Sequence, residues 1–87
     1  MAVITEEDFR LMDQIAMRFP HPSIAERLTK AREHYTNVLP GVERSYRAFI
    51  SLPMVARVYE EAIEDIKARL AVIDKWEEAM KEVWRSA

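Results

Sequence analysis

The chain contains no cysteine, one glycine and one asparagine, and each shortage removes a class of structure or chemistry. Without cysteine there is no disulfide framework, no thiolate nucleophile and no thiolate-ligated zinc. One glycine cannot build a phosphate-cradling loop of either common kind, since both use at least two. Tight turns between strands need residues that accept positive φ, chiefly Gly, Asn and Asp, so the near-absence of the first two argues against a sheet. No run approaches the roughly 18 unbroken apolar residues of a membrane-spanning helix. Residues 1–7 are acidic and lack the basic start and apolar stretch of a signal peptide. These absences predict a cytoplasmic protein with no membrane partner.

What is present reads as helix. The 87 residues are 49% hydrophobic, too apolar for a disordered tail, and suit one small domain spanning 1–87. Prolines at 20, 22, 40 and 53 divide stretches rich in Ala, Glu, Arg, Leu and Met, residues that favour helix, while proline starts or stops one. The expected fold is all-α, a three- or four-helix bundle with no β-sheet.

The segments can be placed. Thr5 reads as an N-cap followed by Glu6, Glu7 and Asp8, which suit the positive end of a helix dipole; this predicts a helix over 6–19 with Phe9, Met12, Ala16 and Phe19 inward. Pro20-His21-Pro22 forms a stiff connector. Ser23 with Glu26 reads as a capping box opening a helix over 24–37, with Ile24, Leu28, Ala31, Tyr35 and Val38 as its apolar stripe. Pro40-Gly41 reads as a turn, Gly41 taking the left-handed conformation. A short helix over 42–50 follows, and Ser51-Leu52-Pro53 reads as a break with Pro53 at the next first position.

The last segment, about 54–85, is the longest. Positions 55, 59, 62, 66, 69, 73, 76, 80 and 83 alternate steps of four and three, and all but Arg69 are apolar, a sustained 3.5-residue repeat. A helix of about 30 residues is roughly 45 Å long, whereas a compact chain of this size has a radius of gyration of about 12 Å. The helix therefore overhangs its domain. Either it breaks near Ile73-Asp74-Lys75 or a second chain covers Trp76, Met80, Val83 and Trp84. A thin core without disulfides also gains from oligomerisation. The expected interface is Ile66, Arg69, Ile73, Trp76, Met80, Val83 and Trp84, in a homo-oligomer, first of all a dimer.

Charge is uneven along the chain. Residues 1–17 carry −3, residues 18–57 carry +4 and residues 58–87 carry −3. The preferred reading is a basic face meeting an acidic one, within a chain or between chains, which steers association and sets register. The alternative is a small nucleic-acid-binding regulator using Arg27, Lys30, Arg44 and Arg47 of the central segment, its two helices superficially suiting a helix-turn-helix. Against that stands a sequence pI near 5.7, where nucleic-acid domains more often exceed about 9.

Catalytic and metal signatures are missing. His21 and His34 alone would need carboxylates to complete a zinc site, and there is no Glu-x-x-His pair. Of the four serines only Ser23 lies near a histidine in sequence, two residues after His21, and it reads as a helix cap. The Asp-Ser-Leu context of acyl carriers is absent as well. No enzyme, cofactor or metal is expected. Arg69, alone among apolar seam positions, has three readings: a buried stem with its head in water, an ion pair that fixes register, or a seat for an anion. The expected function is a non-enzymatic helical interaction or accessory module that binds another protein and self-associates through its C-terminal helix.

Overall fold

The computed structural model describes residues 3–86, with side chains through residue 83. Three helices account for nearly all of it: α1, Glu6–Arg18; α2, Ile24–Ala48; and α3, Pro53–Ser86. No strand occurs among the described residues, so the fold is all-α. No described helix is long and apolar enough to cross a membrane.

Local chemistry sets the ends of α1. The Thr5 side chain accepts from the Asp8 main-chain N–H, while the Asp8 carboxylate accepts from the Thr5 N–H at 3.0 Å, so two otherwise orphaned donors are satisfied reciprocally. Phe19 closes the other end, its N–H donating to the Ile15 carbonyl. At the start of α2, Ser23 accepts from the Glu26 N–H as expected of a cap. The return half of the predicted box is absent, because the Ser23 N–H donates instead to His21 Nδ1 at 3.0 Å. His21 is thus part of the connector's own bonding, and its carbonyl also accepts from Arg27.

The predicted division of the middle of the chain into helices 24–37 and 42–50 does not occur. α2 runs unbroken for 25 residues with Pro40 inside it, and Gly41 does not take positive φ. Pro40 has no N–H for the Thr36 carbonyl and crowds the preceding turn, a defect of about 3 kcal/mol. It is tolerated because Leu39 and Val42, on either side, both pack against the hydrophobic core; a turn there would pull one of them off α3. The chain turns instead at residues 49–52, where the Leu52 N–H donates to the Phe49 carbonyl at 2.9 Å. Pro53 opens α3 from its first position, where its missing donor costs nothing.

α2 and α3 form an antiparallel hairpin. Arg32 meets Asp74 and Glu77 near its open end, and Phe49 stacks on Tyr59 near its closed end. α3 is continuous for 34 residues. The break considered at Ile73-Asp74-Lys75 is absent: Ile73 is fully buried and Lys75 is tied to Asp8 at 2.9 Å. The hairpin makes the molecule 54 × 24 × 18 Å, with a radius of gyration of 15.2 Å.

α1 packs on one face of this hairpin and only at its open half. Asp8 reaches Lys75 and Gln14 reaches Arg69, so α1 lies antiparallel to the C-terminal half of α3. Phe19 sits beside His34 and Tyr35, whereas Phe9 lines a groove with Ile24. The connector therefore carries the chain back toward the end where α1 began, a task suited to two prolines in an extended segment. The core lies where three helices meet: Leu11, Met12 and Ile15 of α1, Leu28, Ala31 and Tyr35 of α2, and Ile66, Val72 and Ile73 of α3.

Replacing Pro40 by Ala should restore the helix bond to Thr36 and stabilise the fold by about 1–3 kcal/mol. Gly41→Ala should add about 0.5–1 kcal/mol, since the new Cβ would meet only an Arg44 guanidinium nitrogen at 3.7 Å. Urea denaturation with an unchanged m-value is the measurement for both.

Candidate interaction surface

Polar contacts hold α1 onto the hairpin at two levels. At the first, one Asp8 carboxylate oxygen accepts from both the Thr5 N–H and Lys75 Nζ. The Thr5 N–H foremost, and Lys75 with it, holds this carboxyl below the ordinary aspartate range. At the second, Arg69 donates to Gln14 of α1 at 2.7 Å, to the Tyr35 hydroxyl of α2 at 3.4 Å and to Asp65 of its own helix at 2.8 Å. Its guanidinium also lies 5.8 Å from the Tyr35 ring centroid, and its side chain is 15% exposed. Burial opposes the Arg69 charge, but Asp65 and Tyr35 outweigh it and the pKa is raised. Arg69 joins the helices, but its ion pair is with Asp65 of its own helix and its bonds across helices go to the neutral Gln14 and Tyr35, so it is not the cross-helix ion pair among the three readings. Arg32, held above the ordinary arginine range by Glu77 and then Asp74, adds a third tie, this one between the basic centre and the acidic end of the chain.

The second level is also where α1 stops. Phe19, His34 and Tyr35 form an aromatic layer with ring centroids 5.2–5.9 Å apart. Beyond it the hairpin continues as two helices alone. On α3 the face that receives α1 includes Arg69, Val72 and Trp76; the same steps of three and four toward the closed end give Asp65, Ala62, Val58 and Val55. On α2 the row facing α1 through Ala31 and His34 continues as Val38, Ser45 and Phe49. Nothing among the described residues covers this continuation. Met54 is 87% exposed, Val58 64%, Ile50 61% and Leu52 51%, with Val38, Phe49 and Val55 exposed to a lesser degree. Of these, Ile50 lines a separate groove with Tyr46, Pro53, Ala56 and Glu60, while Val38, Phe49, Val55 and Val58 lie on the two rows that continue from α1, an exposed apolar patch on the order of 300 Å², within the range a typical monomer shows.

The predicted interface residues are distributed differently. Ile66 and Ile73 are buried in the chain's own core, and Arg69 joins three helices. Trp76 and Met80 pack partly against the core and line a groove of about 380 Å³ with Ile4, Phe9, Ile24 and the exposed Val83. The Trp84 side chain lies outside the described residues. α1 meets α3 only from about Arg69 to Trp76, so apolar side chains are left exposed at both ends of α3: Val83, with Phe9 and Ile24 beside it, at the open end, and Val55 and Val58 at the closed end. The helix lengths carried that signal, since a lid of 13 residues cannot span a helix of 34.

The basic residues of the alternative reading are scattered. Arg27 donates to the carbonyls of His21 and Ala16, while Lys30, Arg44 and Arg47 are exposed along one continuous helix. With α2 unbroken, no turn separates a positioning helix from a recognition helix. No three potential metal ligands converge among the described residues. Comparison with protein-family models, with characterised proteins and with solved structures finds no match for this chain.

Arg69→Ala should destabilise the fold by about 1–3 kcal/mol by leaving the Tyr35 hydroxyl without its donor. A double-mutant cycle with Gln14→Ala should give a coupling of at least about 0.5 kcal/mol. The Asp8 contribution has a definite sign. Its folded pKa lies below the unfolded value, so its stabilisation is complete above the ordinary aspartate pKa of about 3.9 and is lost as pH falls through the lower folded value. Thermal melts from pH 5 downward should fall less steeply for Asp8→Asn than for the wild type.

Proposed function

We propose that the protein is a non-enzymatic helical interaction module that self-associates through the closed end of its α2–α3 hairpin. A single observation carries this reading: the apolar face that seats α1 continues past the end of α1 with the same spacing and no cover. In a monomer those side chains contribute nothing to the core, yet they face water, a composition expected where a further helical surface completes the packing. On this reading the working part of α3 is its N-terminal half, with Val55 and Val58 at its centre. The cationic ties of Arg32, Arg69 and Lys75 keep the other half closed and leave this end presented as a rigid pair of helices.

The test is solution mass against concentration. Light scattering should give an assembly above the 10.2 kDa monomer at about 100 μM, near the weak end of specific interfaces. Val58→Asp should return it to monomer while keeping its helical circular dichroism, because Val58 lies outside the core. Val83→Asp, at the opposite groove, should leave the assembly intact. A wild type that stays monomeric at millimolar concentration would remove the proposal.

A further inference from the structure

The bare end of the hairpin also contains the information for one particular mode of pairing. We infer that its occupant is the same end of a second copy, packed antiparallel across a two-fold axis that passes beside Val58, so that two hairpin ends make one four-helix bundle. This rests on the self-association proposed above and adds its partner, direction and register.

Direction follows from α1. It stands about 10 Å proud of the face on which the second copy must lie. Two copies pointing the same way would bring both α1 helices into the space between the hairpins and hold their bare ends apart. Two copies pointing in opposite directions place each α1 beyond the other's closed end, so the bare halves can meet at the 8–10 Å spacing of packed helices.

Register follows from side-chain size and charge on α3. With α3 antiparallel to its symmetry mate about Val58, Val58 meets Val58 of the second copy, and Val55 meets Ala62, a large residue against a small one as interdigitating layers require. The same register sets Arg57 beside Glu61 of the second copy, and Glu61 beside its Arg57, on the flank of the seam. Within one chain these two make only an exposed i,i+4 contact at 3.5 Å, with side chains 81% and 68% exposed. Such a pair is worth little to the monomer and is free to exchange across the axis, where flanking charges set orientation. Displacing the axis to Ala62 would set Val58 against Asp65 or Ile66, the first charged and the second already buried. The apolar surface on these rows, on the order of 300 Å² per copy, is well below the roughly 800 Å² per partner of standard interfaces, which suits a weak, concentration-dependent dimer.

The absence of cysteine permits a direct test. Val58→Cys under mild oxidation should give a covalent dimer in high yield, because residues facing each other across the axis fall within the 4.4–6.8 Å Cα separation a disulfide needs; Met17→Cys, exposed on α1, should remain uncrosslinked. Arg57→Glu and Glu61→Arg should each weaken the dimer by about tenfold or more at low salt, through two repulsive pairs per assembly. Mixing the two variants should restore wild-type affinity as a heterodimer, because both flanking pairs become attractive. If the wild type dimerises and Val58→Asp dissociates it, yet Val58→Cys fails to crosslink and the mixed variants show no recovery, the two-fold arrangement is overturned while self-association stands. A monomeric wild type would overturn both.

Discussion

Three helices of 13, 25 and 34 residues cannot cover one another evenly, and the remaining architecture follows from that inequality. α3 is about 51 Å long and α1 about 20 Å, so one lid serves less than half of its spine. Where the three overlap there is a conventional core, with Ile15, Leu28 and Ile73 fully buried. Where only two remain, each helix still carries the apolar stripe it needs for a third neighbour. The elongated shape and the exposed side chains at residues 49–58 are two consequences of the same mismatch.

The junction between the covered and bare halves is polar, and this placement matters. Arg69 lies at the end of α1 and bonds to all three helices, with Tyr35 and Phe19 beside it. An apolar residue there would let α1 slide along a uniform stripe, because dispersion and burial have little directional preference. The Arg69–Gln14 and Lys75–Asp8 bonds set its level along α3. Arg69, Asp8 and Lys75 therefore act as register marks for α1, and the core supplies the attraction.

Much of this was legible in the residues. Thr5, Ser23 and Pro53 mark helix starts because capping and first-turn geometry are local chemistry, decided within four residues. Arg69 stood out because it breaks an otherwise apolar repeat. Pro40-Gly41 misled for the same local reason: both residues disfavour helix on their own, but Leu39 and Val42 gain more by staying packed on a continuous α2. The apolar repeat of α3 was visible too, but not which of its ends would be covered. Residues 69, 76 and 83 point to one neighbour and 66 and 73 to another, a division that one-dimensional spacing does not resolve.

Composition and pattern alone determined that the chain is helical, where its helices begin, and that its last helix is too long for the domain it belongs to. Those properties depend on backbone propensity and on periodicity, which are read along the chain. Only the tertiary structure decided that α2 passes through Pro40, that α1 seats against α3 near Arg69 and Lys75, and that Val55 and Val58 are left open beyond it. The first two outcomes depend on competition between distant segments for the same apolar faces, and the winner is set by how well whole surfaces fit.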